Sequence, residues 1–352
     1  MKKQVAFLLP ALVLTVCSCT EKQSDYKGKE VNFTAVASDA DLTRSVYGDY
    51  SGSSQPLYWL TTDRFTVYCA ESFGKTVAEY KINELQPGSY DTDNYASIVS
   101  DPEDEGLKWG EDESTFYAVS PSVSVTGGTI NGAVITGTIP ASQDGTISGD
   151  ADKVVTPDMD NMYLVAKTTT SYSEDKNPFL DFKPMTTAIE FTVKNGLDEE
   201  ITISSMSLIS AAKALSGGFT INMDQEGVNG RHKTTLDAAT QSSIASHKKV
   251  TISLGTGGVT LAAGKSVTLT FFLNPGNTAN DLSLEIVEIL SDSSSKTYTA
   301  KLKNDEGYVE FATHKKTIVA GIVYGPGILL DFDTKIIAAH WITDDYDISL
   351  TD

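Results

Sequence analysis

Residues 266–277 read Ser-Val-Thr-Leu-Thr-Phe-Phe-Leu-Asn-Pro-Gly-Asn. Val267, Leu269, Phe271 and Leu273 stand at alternate positions, with Thr268, Thr270 and Phe272 between them, and a period of two puts one set of side chains on one face of a strand. Asn274-Pro275-Gly276-Asn277 then ends the run with residues suited to a turn. The same pattern recurs along the chain, in Val31, Phe33 and Ala35; Phe65, Val67 and Cys69; Ile201 and Ile203; Phe219, Ile221 and Met223; and Val250, Ile252 and Leu254. Clusters such as Asn195-Gly196 and Ser216-Gly217-Gly218 lie between these runs. This is the layout of an antiparallel all-β protein.

Long helical stripes are absent. The two best short helix candidates are Thr76–Leu85 and Leu236–Ser246. A polar stretch at Ser171–Lys176 precedes Pro178 and a dense series of strands, which places an expected domain boundary there. The expectation is two antiparallel β-sandwich-like domains in tandem, residues 45–176 and 177–352, with few short helices.

The amino terminus carries a different signal. Lys2 and Lys3 precede an apolar run from Val5 to Val16, and Val16-Cys17-Ser18-Cys19 follows. A charged start, an apolar stretch and a small residue form the order of a secretory signal peptide. The run is about a dozen residues, against the roughly 20 that a spanning helix needs. Val16-Cys17-Ser18-Cys19 resembles a bacterial lipobox, which implies acylation (palmitate) at Cys19 and a signal peptide of residues 1–19. Thr20 to Lys29 is polar and without period, as expected of a tether.

With the signal peptide gone and Cys19 acylated, Cys69 is the only other cysteine, so no intramolecular disulfide framework can form. Stability must come from an apolar core. The formal net charge is −20, which argues against nucleic acid as a partner.

Chemistry-bearing motifs are weak. Gly264-Lys265-Ser266 resembles the end of a phosphate-binding loop, but Val259 stands where its first glycine is needed and a strand follows instead of a helix. A tight turn is the expectation. Asp101, Glu103, Glu105 and Asp112 imitate a calcium loop poorly, because Pro102 and two glutamates occupy its positions. The four histidines, His232, His247, His314 and His340, lack metal-ligand spacing. No catalytic residue, cofactor site or metal site is expected, and the chain reads as a non-enzyme. An alternative reading is a surface glycan-binding lipoprotein with Trp59, Tyr90, Tyr95 or Trp109 as sugar platforms.

The order of several motifs is more informative. After the lipobox come Val31-Asn32-Phe33-Thr34-Ala35, Leu42-Thr43-Arg44-Ser45, and Trp109 with Phe116-Tyr117-Ala118-Val119-Ser120-Pro121. Met162-Tyr163-Leu164-Val165-Ala166, Phe182-Lys183-Pro184-Met185, Ile189-Glu190-Phe191-Thr192-Val193 and Ile337-Ala338-Ala339-His340-Trp341 complete the series. In this order the chain resembles the fimbrillin family of the Bacteroidetes, lipoprotein precursors of protease-matured pili, with a transthyretin-like fold.

That resemblance implies an outer-membrane lipoprotein precursor whose residues 20–44, tether and first strand, are removed by an arginine-specific protease. Cleavage is expected between Arg44 and Ser45, and Arg44 is one of only three arginines. It further implies a fimbrium at the cell surface, in which the C-terminal strand of one subunit fills the groove left in another. The segment 336–352 suits such a donor strand. After Trp341, the residues Tyr346, Ile348 and Leu350 alternate with Asp347, Ser349 and Thr351, so one face can fill pockets while the other meets solvent. The expected partners are other pilus subunits in a head-to-tail polymer, the protease, and the membrane through the lipid.

Overall fold

A computed structural model describes residues 26–37, 59–86, 95–110, 113–174, 176–227, 231–275, 281–304, 307–308, 316–324 and 336–339. The chain begins with β1 (Phe33–Ala37), β2 (Arg64–Tyr68), β3 (Val77–Gln86), β4 (Tyr95–Ser100) and β5 (Glu113–Ser120), followed by the short helix α1 (Val123–Thr126). Next come β6 (Thr129–Asn131), β7 (Val134–Ile139), β8 (Ser142–Gln143), β9 (Gly145–Ser148), β10 (Lys153–Pro157), β11 (Leu164–Ser171) and β12 (Phe179–Pro184). The third group is β13 (Thr187–Asn195), β14 (Ile201–Ser210), β15 (Gly217–Glu226), β16 (His232–Leu236), α2 (Ala238–Ser242), β17 (Lys249–Ser253), β18 (Val259–Leu261) and β19 (Ser266–Leu273). The last is β20 (Leu282–Ile289), β21 (Ser295–Lys301), β22 (Lys303–Asn304), β23 (Gly307–Tyr308), β24 (Lys316–Tyr324) and β25 (Ile336–Ala339). The all-β class expected from the alternation is the class observed.

Strands β1, β12, β11, β5, β2, β3 and β4 close into a barrel, in that order. The inward residues are those the alternation marks: Val31, Phe33, Ala35, Phe65, Val67, Cys69, Tyr80, Ile98, Phe116 and Leu180 are all buried. Closing the sheet removes its edges, which would otherwise offer unpaired backbone groups to another chain. The closure depends on β1, which pairs antiparallel with β4 and parallel with β12.

Two further sheets, β25-β24-β13-β19-β10-β9 and β21-β20-β14-β17-β8, form a sandwich. Phe191, Leu269 and Phe271 from the first sheet meet Met206, Leu208, Ile252 and Leu284 from the second. Phe271 and Phe272 point to opposite faces of β19: Phe271 enters the sandwich core, and Phe272, with Ala188, enters the barrel core. The wall formed by β13 and β19 is thus buried on both sides, which explains why the run 271–273 is apolar without a break. A smaller sheet, β16-β15-β7-β6, covers the outside of the barrel over Val119 and Val165.

Two expectations need correction. Thr76–Leu85 is not a helix: Val77–Gln86 is strand β3, with Ala78, Tyr80 and Ile82 facing inward and a register shift between Ile82 and Glu84. The spacing of Ala78, Ile82 and Leu85 also satisfies a helical stripe, and pairing with β2 and β4 decides for the strand. The second candidate does form α2 and a 3-10 turn, Ile244–His247.

The division at residue 176 also does not follow the sheets. Strands β8 and β10 lie before it, yet they pair in the sandwich with β17 and β19, while β12 lies after it and pairs in the barrel. The excursion is fastened by Gln143, whose buried side-chain amide donates to the Phe272 carbonyl at 2.6 Å and accepts from the Phe272 N–H at 3.0 Å.

Candidate functional site: the seat of the first strand

The expected removable strand proves to be the piece that closes the barrel. Its approach is set by Gly28, whose φ of +86° lies in the left-handed region that glycine enters without steric cost. The turn lets the Gly28 N–H donate to the Trp109 carbonyl at 2.8 Å and the Val31 N–H to the Leu107 carbonyl at 2.9 Å. The Trp109 N–H returns a bond to the Lys29 carbonyl at 2.9 Å. Residues 28–31 are thereby stitched to 107–109 before the chain enters the barrel.

Within the barrel, Phe33 to Val36 pair antiparallel with Ile98 to Tyr95, and Thr34 to Ala37 pair parallel with Phe179 to Phe182. Phe33 stands edge-on to both Tyr80, at 5.0 Å, and Phe116, at 5.1 Å. Tyr80 is the hub of the seat. Its hydroxyl donates to the Val31 carbonyl at 3.0 Å and accepts from the Leu107 N–H at 2.9 Å. Burial pushes the Tyr80 phenol well above its usual range, so it stays a neutral donor.

Outside the barrel mouth lies an aromatic corner. Tyr26 stacks on Tyr172 with centroids 5.0 Å apart and 24° between planes, and Trp109 meets Tyr172 edge-on at 5.6 Å. The Lys29 ammonium donates to the Tyr172 hydroxyl at 2.9 Å and to Glu174 Oε1 at 3.1 Å. Those hydrogen bonds, the one to Tyr172 first, raise the Lys29 pKa.

Removing β1 would withdraw Val31, Phe33 and Ala35 from the core. At about 1.5–3 kcal/mol for each large side chain, Val31 and Phe33 alone represent roughly 3–6 kcal/mol of burial. The ladder edges of β4 and β12 would be left without partners. An added strand satisfies both needs at once.

Several expected site residues, Cys19, Arg44, Ser45, Trp341, Tyr346, Ile348 and Leu350, lie outside the described residues. Of the segment 336–352, Ile336–Ala339 is described, as β25 paired antiparallel with β24 at the edge of its own sheet. Among the sugar-platform candidates, Trp59 and Trp109 are core residues, 0 % and 4 % exposed, and neither offers an open ring face. Tyr90 lies outside the described residues, and Tyr95 is described only as backbone of β4. In the acidic loop, Asp101 pairs with Arg64 at 3.3 Å, Asp104 with Lys75, and Glu105 with Lys108. Gly264-Lys265-Ser266 is the turn into β19, with Gly264 at φ +73°.

Tyr26, Tyr80 and Tyr172 are not among the site residues expected from the sequence. Tyr80 carried a usable signal, the alternation Ala78-Tyr80-Ile82. Tyr26 and Tyr172 carried none, because their stacking joins residues 146 apart in sequence, 26 and 172.

No protein-family model and no curated protein sequence matches the chain. Solved structures do. One, from Bacteroides ovatus ATCC 8483 and provisionally assigned to cell adhesion, has a TM-score of 0.51 at 15% identity, covering 90% of this chain and 99% of that one. Another with the same provisional assignment, from Bacteroides uniformis ATCC 8492, has a TM-score of 0.45 at 12% identity over 84% of this chain and 94% of that one. A fimbrial assembly protein from Parabacteroides distasonis ATCC 8503 has a TM-score of 0.37 at 11% identity, over 84% of this chain and 91% of that one. The first likeness shows a shared fold.

Proposed function

We propose that this chain is a structural subunit of an adhesive cell-surface fimbrium, assembled by strand exchange. In this reading the precursor is held at the outer membrane through lipid on Cys19. An arginine-specific protease cuts between Arg44 and Ser45, and the segment carrying β1 leaves. Residues 336–352 of a second copy then enter the vacated seat. Donor and seat are different surfaces, so the contact is head-to-tail and extends as an open filament.

The observation that carries this reading is the position of β1. A strand near the amino terminus, the single closure between β4 and β12, brings Phe33 to the middle of the barrel core. The Bacteroides ovatus structure that shares the fold, provisionally assigned to cell adhesion, supports the adhesive part of this reading.

The test is to treat the purified full chain with an arginine-specific protease and look for SDS-resistant ladders. They should form with the intact tail and be absent when residues 340–352 are deleted or Arg44 is replaced by Ala. A cut chain that stays monomeric overturns the reading. Label from a palmitate analogue should be lost in Cys19→Ala cells, and retained label would overturn the anchor.

A further inference from the structure

The strand that fills the seat in cis is keyed at four points. Val31, Phe33 and Ala35 enter the barrel core, and Tyr26, five residues before Val31, stacks on Tyr172 outside it. In sequence, the spacings between the four are five, two and two.

The tail has the same spacings in the same direction: Trp341, Tyr346, Ile348 and Leu350. An aromatic residue leads in both, and three alternating apolar residues follow. Periodicity accounts for the last three but not for the first, since an interval of five breaks the alternation. In the cis strand the interval of five has a structural cause, the turn at Gly28 between the corner and the barrel.

Resting on the strand-exchange reading, we infer that the seat extends beyond the barrel to an aromatic subsite on Tyr172 and Trp109, and that Trp341 of a second copy fills it. Tyr346, Ile348 and Leu350 then take the places of Val31, Phe33 and Ala35, in the chain direction of β1. The subsite sets the register: a tail displaced by two residues keeps its apolar face inward but takes Trp341 off Tyr172. Lys29, which binds Glu174, leaves with the cis strand, and Asp344 of the tail comes to its place, so that this one position of the register sets two carboxylates near each other at the exposed rim.

The register makes an unusual demand. Thr343 of the tail falls at the place of Gly28, whose φ of +86° a β-branched residue adopts only under strain. Thr343→Gly should therefore tighten binding.

The experiment uses the full chain cut after Arg44 and a fluorescent peptide of residues 339–352, read by anisotropy. The expected order is Thr343→Gly tightest, then wild type, then Trp341→Ala, weaker by roughly tenfold as loss of one stacked aromatic implies. One glycine inserted between Thr343 and Asp344 should match Trp341→Ala, and in a Tyr172→Ala receiver the wild-type and Trp341→Ala peptides should bind alike. Wild-type affinity for both Trp341→Ala and the insertion overturns the subsite while leaving strand exchange intact. Failure of every peptide to bind overturns strand exchange itself.

Discussion

Phe33 and Tyr80 meet edge to face with ring centroids 5.0 Å apart, while the Tyr80 hydroxyl holds the carbonyl of Val31, two residues before Phe33. One barrel residue thus grips the first strand by both its side chain and its backbone. Phe33→Ala removes the ring from a fully buried position and should cost about 3–5 kcal/mol in the uncut chain. Tyr80→Phe keeps the ring but leaves the buried Leu107 N–H without its acceptor, at about 1–3 kcal/mol. Denaturant unfolding of both variants checks the order, Phe33→Ala being the more damaging.

Cys69 gives a probe of barrel closure. Its thiol is fully buried, and desolvation, with a hydrogen bond to Glu71 adding to it, pushes its pKa up to about 12. The thiolate is the reactive form. In a chain with Cys17 and Cys19 replaced by Ser, maleimide at neutral pH should label nothing in the native precursor. Labelling should appear on denaturation, and also after cleavage once the first strand leaves.

The pH dependence of stability should show two opposed contributions. Burial lowers the Lys316 pKa from 10.5 to about 8, the Glu190 carboxylate 2.7 Å away offsetting part of it. Between those values the unfolded chain binds more protons, so this group makes stability rise with pH. Cys69 acts in the other direction: with a folded pKa above its ordinary 9.0, it makes stability fall as pH rises through and beyond 9. Stability, measured by denaturant unfolding from pH 8 to 10, should rise more steeply with pH in Cys69→Ala than in the parent chain, and fall with pH in Lys316→Met.

Gln143 should matter more than its polar side chain suggests. Replacement by Ala removes both hydrogen bonds to the Phe272 backbone, about 0.5–1.5 kcal/mol for each bond. Gln143→Glu should be at least as damaging near neutral pH, since a carboxylate has no proton to donate to the carbonyl. Thermal unfolding of the two variants tests this.

The strands themselves were legible because one-sided burial writes a period of two into sequence: Val31, Phe33 and Ala35 enter the core as their alternation indicates. What joins the strands was not legible. The parallel pairing of Val155 with Leu269, and of Ala35 with Leu180, spans more than 100 residues and leaves no local pattern. For that reason the polar stretch at 171–176 looked like a boundary although the sheets interlock across it. The first strand could be named from sequence, but its place between β4 and β12 could not.

A disulfide across the seat tests the strand-exchange account most directly. Thr34 and Ser97 are antiparallel partners, and the Thr34 N–H points away from β4 to the Pro178 carbonyl. They therefore form a non-hydrogen-bonded pair, with Cα atoms close enough to bridge. The full chain carrying Thr34→Cys and Ser97→Cys, with Ser at positions 17 and 19, is oxidised, cut after Arg44 and assayed for SDS-resistant ladders before and after reduction. The expected result is monomer while the bridge holds β1 in place and polymer once it is reduced; ladders from the oxidised, cut chain would contradict the account.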